Sequence, residues 1–267
     1  MKLLKMDMPP DGRMEKIMKL EKKDVIYERS TRTAYREGDD IVKIFTTKNP
    51  KWDAFQQAAN HAYAEAAGIS VPVLKSVQEF DGQWGVVESY VEGPTLAQLL
   101  EEKPKQYKKF IDQLIDIQLE VMNHKAPNLK NTIDKLTDRI NSMTGILDAT
   151  TRYELLERLH GMSRHTKVCH GKLIPSNVII TKKGYYVVDW GHATKGNAGA
   201  DAAVTYLYFA MDNEKYADYY IKQYCLKSDT PLQYIQKWMP IVAALELSRH
   251  PEKSEFLMKW ITVAEYV

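Results

Sequence analysis

The sequence lacks several features that would assign it to a specialised class of protein. Its 267 residues contain only two cysteines, Cys169 and Cys225, so no disulfide framework is expected and we interpret both as reduced thiols. No segment approaches the roughly 18 uninterrupted apolar residues of a membrane span. The N-terminal stretch "MKLLKMDMPPDGRMEK" has no apolar run long enough for a signal peptide. These absences predict a cytoplasmic protein without a membrane partner.

An excess of charge of one sign is also missing. The chain has 37 Lys and Arg residues against 35 Asp and Glu, and the two signs are interleaved. A nucleic-acid partner is not expected, because such a partner requires a clustered basic surface. The hydrophobic content of 44% is that of an ordinary globular protein. Nothing in the sequence indicates an oligomeric state.

Residues 1–91 have the pattern of a small sheet. β-forming residues occupy 24–30, 33–38 and 40–45, and the last two runs are separated by turn residues. A helical stretch over 52–67 ends at Gly68, a residue that commonly stops a helix. "VPVLKSVQEF" and "QWGVVESYV" then predict a hairpin with its turn at Asp81-Gly82. The prediction is a five-stranded antiparallel sheet with one helix.

Residues 92–267 have a mainly helical pattern. Thr95 is placed to cap a first helix, and Phe110, Leu114, Ile117 and Val121 lie on one face of a second. Further helices are predicted near 151–160 and from 201 to the C-terminus. The only clear strands are "NVIIT" and "YYVVDW", which form another hairpin. The fold class is therefore α+β, with a smaller part at 1–91 and a larger helical part at 92–267.

Chemistry is indicated by two segments on either side of that second hairpin. "HGKLIPSN" ends at Asn177, and "VVDWGHA" contains Asp189. A short hairpin brings an amide oxygen and a carboxylate together, as magnesium bound to phosphates requires. Lys43, in the strand "DIVKIF", supplies a fixed positive charge for phosphates. Taken singly, Lys43 reads as a solvated strand residue, Asn177 as a turn residue and Asp189 as a cap.

In order along the chain, "HGKLIPSN", "VVDWGHA", "GN" (Gly196-Asn197) and Asp201 resemble the motifs of the aminoglycoside phosphotransferase and choline kinase family. "EGPTL" resembles the exit from that family's hinge. The resemblance covers essentially the whole chain. It implies a two-lobed, protein-kinase-like fold, with a nucleotide-binding lobe at 1–91 and, at 92–267, a helical lobe that carries the catalytic hairpin and the acceptor pocket.

The resemblance also assigns roles for binding ATP and Mg²⁺. Lys43 contacts phosphates, and Asn177 and Asp189 hold magnesium. A hinge at about 88–91, with Glu88 and Tyr90, offers backbone groups to adenine.

Two further roles concern the catalytic loop and the phosphate cover. The resemblance implies that Asp201 is structural and accepts hydrogen bonds from the catalytic loop. The glycine-rich cover for phosphates is missing, and "ERSTRTAYR" offers Ser30 and Arg32 instead.

One residue departs from the family pattern. At the catalytic positions the chain has His170 and Lys172, and Lys172 stands where the family has an aspartate that accepts the acceptor's hydroxyl proton. We expect anionic surroundings to keep Lys172 protonated, which argues against its acting as a base. Three hypotheses remain: the ammonium pairs with Asp189 or the γ-phosphate, the site is disused, or slow transfer persists. His192 is a conceivable replacement base.

A second departure concerns the partner of the strand lysine. In the family, a glutamate on the following helix pairs with that lysine. Here Gln57 occupies the corresponding place, where it can donate or accept a hydrogen bond but cannot neutralise Lys43. Glu65, about two turns further along the helix, is the alternative.

These observations leave two hypotheses for function. One is ATP-dependent transfer of a phosphoryl group to a hydroxyl of a small molecule, impaired by Lys172. The other is a pseudokinase-like nucleotide-binding or regulatory module without turnover. Aromatic residues and carboxylates after Asp201 suit a cationic acceptor, although helix packing would also account for them. The aromatic residues are Tyr206, Tyr208, Phe209, Tyr216, Tyr219, Tyr220, Tyr224, Tyr234 and Trp238, and the carboxylates are Asp212, Glu214, Asp218 and Asp229.

Overall fold

The structure is a computed structural model that describes residues 24–262. The N-terminal stretch considered above for a signal peptide lies outside the described residues. Within them, no helix is both long enough and apolar enough to cross a membrane. Cys169 and Cys225 are both free thiols.

A five-stranded antiparallel sheet begins the described chain. Its strands are β1 (Val25–Arg29), β2 (Arg32–Glu37), β3 (Asp40–Phe45), β4 (Leu74–Phe80) and β5 (Gln83–Ser89), in the spatial order β1-β2-β3-β5-β4. Helix α1 (Pro50–Ala66) lies against the sheet and buries Ala54 and Ala58 with Phe45 and Val86. Gly68, at φ +81°, follows the helix as predicted. The predicted sheet with one helix is confirmed.

The rest of the chain is mainly helical. The helices are α2 (Leu96–Glu102), α3 (Tyr107–Asn123), α4 (Thr132–Asn141), α5 (Ala149–His160), α6 (Ala198–Ala210), α7 (Glu214–Ser228), α8 (Leu232–Gln236), α9 (Met239–Leu247) and α10 (Ser254–Thr262). Thr95 caps α2 through a reciprocal capping box with Gln98. The predicted apolar face of α3, from Phe110 to Val121, is buried. The sequence analysis did not predict α4, a short helix with a largely polar sequence.

Four short strands complete the fold and position the site. They are β6 (Lys167–Cys169), β7 (Val178–Thr181), β8 (Gly184–Val187) and β9 (Thr194–Gly196). β7 and β8 form the predicted hairpin, but β8 ends before Asp189 because Trp190–His192 turn into a short 3₁₀ helix. β6 pairs with β9, and both strands are too short for a hydrophobic pattern to predict. The α+β class is confirmed.

Candidate active site

The loop between β6 and β7 is fixed by a buried histidine. The backbone N–H of Lys172 donates to Nδ1 of His170 at 3.2 Å, and Nε2 of the same ring lies 3.0 Å from the carbonyl oxygen of Val188. Nδ1 therefore accepts and Nε2 donates, which defines one neutral tautomer. Burial lowers the pKa of His170 to about 4. With both ring nitrogens engaged, His170 positions the loop and is not free to exchange protons with a ligand.

Asp201, at the start of α6, holds the same loop. Its carboxylate accepts from the backbone N–H of His170 at 2.9 Å and from that of Gly171 at 2.6 Å. Burial raises the pKa of Asp201 to about 6, against the opposing effect of these two hydrogen bonds. Gly171 lies at φ +76°, and a Cβ there would clash with the carbonyl oxygen of His192. The position therefore requires glycine.

Asn177 and Asp189 lie on adjoining segments, as the hairpin predicts. The backbone N–H of Val188 donates to the carbonyl oxygen of Asn177 at 3.0 Å, which ties the two segments together. The side-chain NH₂ of Asn177 donates to the carbonyl of Lys172 at 2.9 Å. Its Oδ1 is buried and has no hydrogen-bond partner among residues 24–262. An unpaired buried amide oxygen suits a hard cation such as Mg²⁺.

The carboxylate of Asp189 is held by two arginines of the sheet. Arg29 donates to Asp189 Oδ2 at 2.9 Å, and the buried Arg32 donates to the same oxygen. Burial alone would raise the pKa of Asp189, but Arg32, Lys43 and Arg29 hold it well below its usual range. Burial alone would lower the pKa of Arg32, but its interactions with Asp189 and Tyr27 together raise it. The expected pairing of Lys172 with Asp189 is therefore not what the structure shows.

The sequence analysis missed Arg29. A two-residue turn, Ser30-Thr31, joins β1 to β2, and the register sets Arg29 directly opposite Arg32. Directly paired residues share a face of the sheet, which sends both guanidinium groups toward Asp189. The position of two arginines on either side of a two-residue turn could have predicted that Arg29 and Arg32 act together. Ser30 itself is exposed at the turn.

Gln57 does not contact Lys43, which corrects the sequence-based expectation. Its Oε1 accepts from Arg32 Nη1 at 3.1 Å, so Gln57 orients the arginine that holds Asp189. The alternative partner, Glu65, is exposed on α1.

Lys43 pairs instead with Glu88, at 2.6 Å between Nζ and Oε2. In the β3–β5 register, Lys43 faces Val86 and Ile41 faces Glu88, so the two charged side chains are diagonal neighbours on one face. Burial disfavours both charges, but the attraction prevails and lowers the pKa of Glu88 to about 2 while raising that of Lys43. His61 Nδ1 lies 3.3 Å from the other carboxylate oxygen.

The hinge offers fewer free donors than the resemblance implies. The backbone N–H of Tyr90 donates to the carbonyl of Asp39 at 2.7 Å, and that of Ser89 to the carbonyl of Val73 at 2.9 Å. The Glu88 side chain is committed to Lys43. Adenine binding by the segment at 88–91 remains a prediction.

Lys172 lies in a buried environment of mixed charge, which corrects our expectation of an anionic one. No ion pair or side-chain hydrogen bond engages its ammonium group within residues 24–262. Burial is the main cause that lowers the pKa of Lys172; Glu246 opposes it, Arg249 and Arg29 lower the pKa further, and Asp189 has the smallest effect. Asp189 contributes little because Arg29 and Arg32 already neutralise it. Burial, then Arg249 and Lys135, similarly lower the pKa of His192.

One family model matches this chain over residues 28–235, and it describes the phosphotransferase enzyme family. The chain belongs to this family. No curated protein sequence matches the chain.

Several solved structures have the same fold as this chain, at low sequence identity. Aminoglycoside phosphotransferase APH(4)-Ia, as a thermostable mutant in ternary complex with AMP-PNP and hygromycin B, gives a TM-score of 0.65 at 11% identity over 91% of this chain and 94% of that one. Choline kinase LicA from Streptococcus pneumoniae gives 0.60 at 15% identity over 92% and 94% of the two chains. A choline/ethanolamine kinase family protein from Mesorhizobium loti gives 0.58 at 13% identity over 88% and 82%. These likenesses confirm the predicted two-lobed, kinase-like fold.

The phosphotransferase cleft has a volume of about 960 Å³ and contains Arg32, Gln57, Lys172 and Asp189. None of the nine aromatic residues expected to build an acceptor pocket lines it. Tyr220, Tyr224 and Trp238 are instead core residues. The packing interpretation of these three residues is therefore the correct one.

Proposed function

We propose that this phosphotransferase binds ATP with Mg²⁺ in the cleft and transfers the γ-phosphoryl group slowly to a hydroxyl of a small molecule. The observation that carries the proposal is the buried, unpaired Oδ1 of Asn177 on the segment adjoining Asp189. Family membership and the nucleotide in the APH(4)-Ia complex support the same reading.

Asn177 Oδ1 and Asp189 are the groups that would hold magnesium. Two protein ligands are few, but they are typical of Mg²⁺ that is also held by substrate phosphates. The ion, when bound, neutralises phosphate charge and orients the phosphates for displacement. Asp189 then needs Arg29 and Arg32 less, and their planar guanidinium groups are well suited to phosphate oxygens. Lys43 on β3 also acts on Asp189 as a positive charge, although its ammonium group pairs with Glu88.

Slow transfer follows from the absence of a carboxylate at residue 172. A general base contributes roughly 10²- to 10⁴-fold to a proton transfer. Phosphoryl transfer depends mainly on positioning and electrostatic stabilisation, so losing the base reduces the rate without abolishing it. The loop that presents the acceptor keeps its supports, since Asp201 and His170 hold it as described.

The second candidate is a nucleotide-binding module without turnover. It is favoured by the pairing of Asp189 with Arg29 and Arg32, which keeps the carboxylate occupied by the protein's own cations. Lys172, which places an ammonium group where the family has a catalytic carboxylate, also favours this second candidate.

The experiment that separates the two candidates is ADP release from MgATP with hydroxyl compounds of different charge. We would compare the native chain with Lys172→Asp, and use Lys183→Gln, at an exposed hairpin position, as the matched control. Acceptor-dependent turnover by the native chain, raised by about 10² or more in Lys172→Asp, supports slow transfer. Turnover by Lys172→Asp alone supports the binding module. ATP binding by neither protein refutes both.

A further inference from the structure

The cations that line the cleft include two sets. Arg29 and Arg32 belong to the sheet and contact Asp189. A second set, which we call the basic cluster, comes from the helical lobe. It consists of Lys135 and Arg139 on α4, Lys172 on the catalytic loop, and Arg249 just after α9, all of which line the cleft.

The basic cluster lies against the reaction centre. Lys135 Nζ donates to the carbonyl of Gly191 at 3.4 Å, two residues beyond Asp189. Lys172 occupies the position that faces the acceptor hydroxyl in the family pattern. The cluster is therefore on the side of the cleft where an acceptor, not the nucleotide, is expected.

The basic cluster has too few counter-ions. The buried carboxylate of Glu246 pairs with Arg249 and lies 3.6 Å from His250. Among residues 24–262, no carboxylate lies within 4 Å of the charged groups of Lys135, Arg139 or Lys172. Aspartates elsewhere in the cleft are already engaged, such as Asp189 with the sheet arginines and Asp201 with backbone N–H groups.

Burial and repulsion between cations both lower pKa values in the basic cluster. Burial, then Arg249, Arg139 and Lys130, lower the pKa of Lys135 to about 8. Burial and Arg249 likewise lower the pKa of Arg139. Lys135 and Arg139 are also four residues apart on one helix, a spacing at which like charges destabilise. A bound anion would offset the repulsion among these cations.

We infer that the acceptor is an anionic hydroxyl compound, carrying a phosphate or carboxylate group that the basic cluster binds. This inference rests on the proposed phosphoryl transfer. It also accounts for Lys172, because exchanging a carboxylate for an ammonium group turns a repulsive contact with such an acceptor into an attractive one. The basic cluster would repel a cationic acceptor such as an aminoglycoside or choline.

The test uses one carbon skeleton with different charges. Binding of glucose 6-phosphate, gluconate, glucose and glucosamine is measured by calorimetry, with inorganic phosphate as a charge-only probe, in the presence and absence of AMP-PNP and Mg²⁺. We expect the two sugar anions to bind at least about tenfold more tightly than glucose, glucosamine to bind most weakly, and added salt to weaken the anions. Comparing the affinities of glucose 6-phosphate and gluconate shows whether the basic cluster prefers a phosphate or a carboxylate group.

Variants locate the binding to the basic cluster. Lys135→Gln and Arg139→Gln are each expected to weaken anion binding about five- to tenfold, while Lys183→Gln leaves it unchanged. Neither cluster variant should lower the urea midpoint of unfolding, because each removes a repulsion. Both should leave ATP affinity within about twofold of native.

Three outcomes would overturn the inference. One is that no anion binds, inorganic phosphate included. Another is that glucosamine binds as tightly as the sugar anions. The third is that Arg139→Gln weakens ATP as much as the anion, which would assign the cluster to nucleotide phosphates. Anion binding by the cluster without any ATP binding would instead refute the proposed transfer while supporting the anion site.

Discussion

The buried pair of Lys43 and Glu88 provides a quantitative test of the site's electrostatics. Their side chains are 3% and 1% exposed, and the charged atoms lie 2.6 Å apart. Removing one partner of such a pair leaves an uncompensated buried charge and costs about 3–5 kcal/mol of unfolding free energy. We expect Lys43→Met to fall at the lower end of this range, because His61 stays close to Glu88.

A second strand lysine provides the matched control. Lys75 pairs with Asp40 on the surface, where the two side chains are 43% and 24% exposed. Lys75→Met should cost no more than about 1 kcal/mol, because exposed pairs are screened by solvent. The double variant Lys43→Met/Glu88→Leu should recover most of the loss, since apolar residues replace a buried ion pair at little net cost.

Urea unfolding of the four proteins measures these differences. The pH dependence has a definite sign. Glu88 has its pKa lowered to about 2 from an ordinary 4.5, so its contribution is fully present above pH 4.5 and is lost as the pH falls toward 2. The difference in unfolding free energy between the native chain and Lys43→Met should therefore shrink as the pH falls from 4.5 toward 2. The reasoning would be refuted if Lys43→Met lost less than about 1 kcal/mol of unfolding free energy. It would also be refuted if Lys43→Met/Glu88→Leu were no more stable than Lys43→Met.

Two further predictions concern the catalytic loop and the basic cluster. Gly171→Ala should lower the unfolding free energy by about 1–3 kcal/mol, because alanine is strained at positive φ and its Cβ would clash with the His192 carbonyl. The control is Gly145→Ala, where a Cβ would have no atom within 4 Å. It should have little effect in the same urea titration. Burial and neighbouring cations lower the pKa of Lys135 to about 8 from an ordinary 10.5. The penalty that its charge imposes on the folded state is therefore fully present below pH 8 and disappears as the pH rises to 10.5. Lys135→Met should therefore be more stable than native at pH 7, and an advantage that stays constant up to pH 10.5 would contradict this assignment.

The sequence was sufficient to predict the elements that local patterns determine. The sheet, the helix ended by Gly68 and the β7–β8 hairpin all follow from periodicity and turn residues. The same spacing brought Asn177 and Asp189 onto adjoining segments, since a short hairpin leaves little freedom. Asp201 also makes the loop hydrogen bonds that the resemblance implied.

Partners chosen by tertiary packing could not be predicted in this way. Nothing local to Lys43 distinguishes Glu88, 45 residues away, from a residue of α1, and the diagonal contact depends on the β3–β5 register. Gln57 contacts Arg32 for the same reason. The charges near Lys172 include Arg249 and Glu246, which approach from the far end of the chain. A charge count over the whole sequence does not detect such a local cluster.

The central claim is that Asn177 and Asp189 support binding of ATP with Mg²⁺. Calorimetric titration of ATP, with Mg²⁺ and with EDTA, into the native chain and Asn177→Ala tests it most directly. The account predicts that the native chain binds ATP more tightly with Mg²⁺ and that Asn177→Ala loses this magnesium dependence. No ATP binding by the native chain, or an equal magnesium dependence in both proteins, would contradict it.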